Sequence, residues 1–162
     1  MWELYPRLRE VVLVRDFRDM VASMFAYNAK RGREGFRRDS AETDAEYVVD
    51  QIKSSVHALA TAWESRSERA HLIRYEDLVL DPEPTVAALL RYLELDDSPA
   101  GEMVATLFAR GPETEWHRTT ADPAASIGRW RRDLTPEARQ ACEQALASEL
   151  QIFGYATEEA VA

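Results

Sequence analysis

"VVLVRDFRDMVASM", Val11 to Met24, decides how this chain is read. Val11-Val12-Leu13-Val14 is a continuous apolar run rich in β-branched residues, the pattern of a central parallel strand covered on both faces. The run stops at Arg15-Asp16, and Phe17, Met20, Val21, Met24 and Phe25 then share one face of a helix of about three turns. In an open parallel sheet, ligands sit beyond the carboxyl ends of the strands, and Arg15 stands at that end. Its guanidinium can offer two parallel donors to a phosphate, beside the N–H groups and dipole of the following helix. Ser23 lies about 130° from the centre of the apolar face at about 100° per residue, so it is not a core residue. It shares a side of the helix with Asp19, where its hydroxyl can meet an anion oxygen or simply face water.

The surrounding chain follows the same punctuation. Arg31-Gly32-Arg33-Glu34-Gly35 ends the first helix in a basic loop. Thr43-x-x-Glu46 has capping-box spacing, and behind it Val49, Ile52, Val56, Leu59 and Trp63 give the strongest helix signal. His71 to Tyr75 is a second strand candidate. Asp81-Pro82 offers an N-cap with proline at the first helical position, ahead of a stripe of Val86, Leu89, Leu90 and Leu93. Ser98-Pro99 and Thr135-Pro136 open further helices, the last carrying Leu146, Leu150 and Phe153 and closing at Gly154. The expectation is a single α/β domain over residues 1–162, helix-rich with about two parallel strands. Two strands make a poor sheet alone. An exposed strand edge and apolar face should follow, with self-association or poor stability unless another segment covers them.

Composition narrows the function. The 162 residues suit one domain, and no apolar stretch approaches the roughly 18 residues of a membrane span. Met1 to Pro6 lacks the features of a signal peptide. The single cysteine, Cys142, excludes an internal disulfide and a Cys-based zinc site, and fits a reducing cytoplasm. No metal site is expected. A net charge of −9 argues against nucleic acid and anionic membranes as partners. Positive charge is nonetheless concentrated at Lys30, Arg31, Arg33, Arg37 and Arg38, and again at Arg129, Arg131 and Arg132. Either cluster can bind a small anion or form a solvated surface. The use of arginine over lysine points to a GC-rich bacterial genome.

Two later stretches can carry chemistry. Arg74-Tyr75-Glu76-Asp77-Leu78 places an aromatic ring and two carboxylates at the end of the second strand. In Ser126-Ile-Gly128-Arg129-Trp130-Arg-Arg-Asp-Leu134, Gly128 permits close backbone approach, Arg129 supplies donors, and Trp130 is either a core anchor or a flat face for a ligand.

Together, Arg15 with Ser23 eight residues on, Arg-Tyr-Glu-Asp-Leu before Asp-Pro, and Gly-Arg-Trp-Arg-Arg-Asp-Leu resemble the C-terminal half of the sulfotransferase family, from about Arg9 to Tyr155. Those enzymes have a P-loop-NTPase-like fold and use 3′-phosphoadenosine 5′-phosphosulfate (PAPS). The resemblance implies that Arg15 and Ser23 bind the cofactor's 3′-phosphate and that Tyr75 lies near the adenosine. It also implies that Gly128, Arg129 and Trp130 belong to a loop closing over the nucleotide. Family members with a basic Arg-Lys-Gly run in this loop differ from Pro123-Ala124-Ala125 here, which would shift a phosphate contact to Arg129, Arg131 or Arg132.

The resemblance further implies in-line sulfuryl transfer to a hydroxyl or amine of a small-molecule acceptor. The family's Gly-rich Lys-Ser/Thr loop and catalytic histidine or glutamate have no counterpart in this sequence, so no catalytic residue is assigned and the chain alone is expected to be inactive. A truncation or a misplaced start would explain this. His57 is read as a packing or surface residue, His71 as the start of a strand, and His117 as a loop residue near the Gly-Arg-Trp segment. The rival readings are a non-catalytic remnant that binds adenosine 3′,5′-bisphosphate or a protein partner, and a different P-loop-type small-molecule kinase.

Overall fold

Strand β1 (Val11–Val14) pairs in parallel with β2 (His71–Arg74), Val11 opposite His71 and Val14 opposite Arg74. The computed structural model describes residues 4, 5, 7–107, 119, 120 and 122–157. Between the strands lie α1 (Phe17–Arg31), α2 (Asp44–Tyr47), a π-helical turn (Val48–Ile52) and α3 (Lys53–Glu64). After β2 come α4 (Tyr75–Leu80), α5 (Pro82–Tyr92), α6 (Ala100–Leu107), α7 (Trp130–Asp133), α8 (Pro136–Ala145) and α9 (Ala147–Ile152). The helix-rich α/β class with a parallel pair is therefore observed. No helix among the described residues is long and apolar enough to cross a membrane.

The local punctuation works largely as read. The Asp16 side chain caps α1 by accepting from Arg18 N–H, and Gly32, at φ 61°, closes the helix in the left-handed conformation. At 15 residues α1 is a turn longer than expected. Thr43 and Glu46 form the reciprocal capping box. Thr135 caps α8 through Ala138 N–H. Asp81 sits at the N-cap of α5, but its side chain makes no capping bond. The Thr85 hydroxyl instead donates to the Asp81 carbonyl at 2.7 Å.

The π-helical turn alters the expected stripe. A π-turn winds fewer degrees per residue than an α-helix, so four residues back from Ile52, not three, returns to the same side. Val48 is thus fully buried, whereas Val49, expected inside, is 48% exposed. Ile52, Val56 and Ala60 continue the buried line.

β1 is covered on one face. Val12 and Val14 turn towards the main core with Phe17 and Val21 of α1, whereas Val11 and Leu13 are exposed, Leu13 to 60%. Period-two alternation and the register put His71 and Ile73 on that outer face as well. There His71 stacks on Tyr92 of α5 with centroids 5.0 Å apart, and Ile73 is buried. Hence α5 shields β2 while the outer face of β1 stays open, which replaces the strand covered on both faces. Beneath α1, the buried Arg18 guanidinium pairs with Asp16 at 2.7 Å and with Glu143, and lies 4.2 Å from the Trp130 ring centroid. Burial works against the Arg18 charge, yet the two carboxylates hold it firmly protonated.

Candidate functional site

The end of β1, the first half of α1, the start of α4 and the segment before α7 converge on one cavity. It has a volume of about 180 Å³ and is lined by Arg15, Ser23, Tyr75, Thr119, Thr120, Pro123 and Ser126. Arg15 follows the last residue of β1, whose inner face is anchored in the main core through Val12 and Val14, so the strand fixes its Cα at the sheet's carboxyl end. Arg15 Nη2 donates to the Ser126 carbonyl at 2.7 Å, and its guanidinium lies 4.7 Å from the Tyr75 ring centroid. Arg15 Nε is buried and has no hydrogen-bond partner among the described residues. A buried donor without a partner is costly, so this N–H has hydrogen-bonding capacity that the described residues leave unused.

Hydroxyls surround it. The Ser126 hydroxyl donates to the Pro123 carbonyl at 2.6 Å, so Tyr75 O–H is left to donate to Ser126 Oγ at 3.2 Å. Ser23 Oγ lies 3.4 Å from Thr119 Oγ1, which also accepts from Arg129 Nη1 at 2.7 Å. Among the described residues, Arg15 is the one charged side chain in this lining. A guanidinium ringed by hydroxyls is a donor set that fits a phosphate.

Three of the expected residues, Arg15, Ser23 and Tyr75, meet at this cavity. Gly128, Arg129 and Trp130 do not line it. Gly128, at φ 70°, lets the chain turn, and its N–H and that of Trp130 both donate to the Asp19 carboxylate, at 2.6 and 2.9 Å. Trp130 is 1% exposed inside the main core, so the core-anchor alternative is the one the structure adopts. Arg129 is buried; its Nε bonds Asp133 at 2.6 Å, and it reaches the cavity only through Thr119. Arg131 lies over the Trp130 ring and Arg132 pairs with Asp133, so neither supplies the direct contact considered for them.

Sequence reasoning does not assign Asp19, Thr119, Thr120 or Ser126 to the site. For the three hydroxyl residues the available signal is their accumulation around Asp122-Pro123, and for Asp19 it is the side of α1 that it shares with Ser23. Burial pushes the Asp19 carboxyl above its ordinary range against the pull of its two backbone donors. His57 bonds Glu149 at 3.0 Å with its side chain largely exposed. His117 lies outside the described residues.

Residues 1–99 match the sequence model of the sulfotransferase family, well over half of the chain. This chain belongs to the sulfotransferase family. No curated protein and no solved structure matches it. The matched segment holds β1, α1, β2 and Tyr75, so Arg15, Ser23 and Tyr75 all lie inside it. The parallel pair and its helices accord with the P-loop-like fold of sulfotransferases. Sulfotransferase chemistry is the general function that this membership supports. The Ser126–Trp130 loop lies beyond the matched residues, and its place at the site rests on its bonds to Arg15, Asp19 and Thr119.

Proposed function

We propose that this chain binds the 3′-phosphate and adenosine of PAPS, supplying that half of the site for sulfuryl transfer to a hydroxyl or amine of a small-molecule acceptor. Bound PAPS would supply the sulfuryl group. Arg15 would give the 3′-phosphate its Nε–H, already desolvated and held in place by Ser126 and Tyr75. Ser23 and Thr119 would add hydroxyl donors. Tyr75 would border the adenosine and keep the Arg15 guanidinium plane fixed. The observation that carries this reading is the buried, unpartnered Arg15 Nε on a cavity shared with Ser23 and Tyr75.

The test is calorimetric titration of the 162-residue chain with adenosine 3′,5′-bisphosphate and with adenosine 5′-monophosphate. The bisphosphate should bind at least about tenfold more tightly, as one charge-assisted hydrogen bond predicts. Arg15→Ala should erase that preference. Equal affinity of the parent chain for both nucleotides would sink the proposal.

A further inference from the structure

We infer that Asp19 is a positioning residue of this site: its carboxylate clamps the loop before α7 onto α1 and so holds the cavity wall where a 3′-phosphate would enter. This inference rests on the nucleotide-binding reading above.

The geometry is specific. Asp19 lies four residues before Ser23 on α1, so both side chains project from neighbouring places on one helix. Asp19 Oδ2 accepts from Gly128 N–H and Oδ1 from Trp130 N–H, across 109 and 111 residues of chain. The residue is 1% exposed. Buried carboxylates usually pair with a cation, yet here the bonds received are from two backbone N–H groups. An asparagine in the same place could accept only one of them, because its amide nitrogen would face the other N–H. Both carboxylate oxygens are therefore needed for the same loop.

What the clamp holds is the cavity wall. Ser126, two residues before Gly128, receives Arg15 Nη2 on its carbonyl and the Tyr75 hydroxyl on Oγ. Arg129, between the two clamped residues, reaches Thr119, whose Oγ1 lies 3.4 Å from Ser23. Trp130 secures the same loop from the apolar side, with its ring buried in the core. The wall of the cavity is thus set by a carboxylate that does not itself line it.

The experiment combines nuclear magnetic resonance with the same nucleotide pair, using the parent chain, Asp19→Asn, Asp19→Ala and Arg15→Ala. In the parent, the Gly128 and Trp130 amide protons should lie downfield and exchange slowly. In Asp19→Asn one or both should lose that signature while the thermal transition persists. Bisphosphate affinity should fall about tenfold in Asp19→Asn, as loss of one charge-assisted bond predicts, and further in Asp19→Ala. Affinity for adenosine 5′-monophosphate should stay within about twofold, because a simple loss of folded chain would lower both equally. Parent amides that exchange like exposed loop positions would overturn the clamp, whatever the variants do. Asp19→Asn with parental bisphosphate affinity would overturn it too, while the preference lost in Arg15→Ala would leave the nucleotide reading standing. If the parent itself shows no preference, the nucleotide reading falls and Asp19 loses its ligand role with it.

Discussion

The Arg15 guanidinium is held between a backbone carbonyl and an aromatic face: Nη2 donates to Ser126 at 2.7 Å while the plane lies over Tyr75 at 4.7 Å. Those two contacts come from residues 51 positions apart in the chain, and they leave Nε without a partner among the described residues. A lysine at this position can make one of these contacts but not all three, because its ammonium is a point charge on a flexible stem. Arg15→Lys should therefore weaken adenosine 3′,5′-bisphosphate binding about tenfold and leave the melting temperature nearly unchanged. Tyr75→Phe keeps the stacking surface and removes only a neutral bond to Ser126, so its affinity should fall by only a few fold. Calorimetry on the two variants ranks them, and a lysine variant that binds like the parent would show that fork geometry is not needed.

Arg18 presents the opposite case of a cation whose three guanidinium nitrogens are all engaged. It bonds Asp16, Glu143 and the Ala156 carbonyl from a nearly fully buried position. Arg18→Met fills much of the volume but strands two carboxylates beside the core. The expected loss is about 3–5 kcal/mol, read from the urea midpoint, since breaking a buried ion pair leaves an uncompensated charge. Arg18 and Arg15 differ by one turn of chain, yet stability should follow the first and ligand affinity the second.

How far the sequence announces all this depends on the range of each interaction. The strand-to-helix change at Arg15-Asp16, the Thr43 capping box and the Gly32 stop are local, and each forms as its residues suggest. Ser23 is also legible, because counting around α1 removes it from the apolar face. Trp130 is not: a tryptophan beside arginines suits a ligand as well as a core, and only packing against Arg18 decides for the core. Asp19 is hidden for a related reason. Its partners are backbone N–H groups more than a hundred residues away, and backbone donors leave no mark in side-chain patterns.

The π-turn makes a separate prediction about neighbouring valines. Val48 is fully buried and Val49 is half exposed, although an unbroken α-helical stripe would turn Val49 inward. Val48→Lys should therefore abolish or severely weaken cooperative unfolding, since it would place an ammonium inside the apolar core. Val49→Lys should change stability by no more than about 0.5 kcal/mol, as a surface substitution does. Equal damage from both would contradict the π-helical register.

Cys142, the chain's single cysteine, is completely buried, and burial pushes its thiol up to about 12. The thiolate is the reactive form, so both access and ionisation protect this sulfur. A chromogenic disulfide reagent at neutral pH should leave the native chain unlabelled over minutes and label it fully in denaturant. Rapid stoichiometric labelling of native protein would mean that the α1–α8 core opens on that timescale.

Acid stability should report on Glu149. Burial works to raise its pKa, but the Ser148 hydroxyl at 2.7 Å and His57 at 3.0 Å prevail and hold the carboxyl below its ordinary value. A depressed folded-state pKa means that Glu149 stabilises the fold above its unfolded pKa, and that this contribution fades as pH falls through the folded value. Asp19 has the opposite sign, because its raised pKa makes the folded chain bind a proton more readily than the unfolded chain. Both slopes are present in the parent, so the informative quantity is its difference from Glu149→Gln, which retains Asp19. Between about pH 6 and pH 3, the unfolding free energy of the parent should fall more steeply than that of the variant. Parallel curves would show that the Ser148 and His57 bonds do not distinguish the folded carboxylate from the unfolded one.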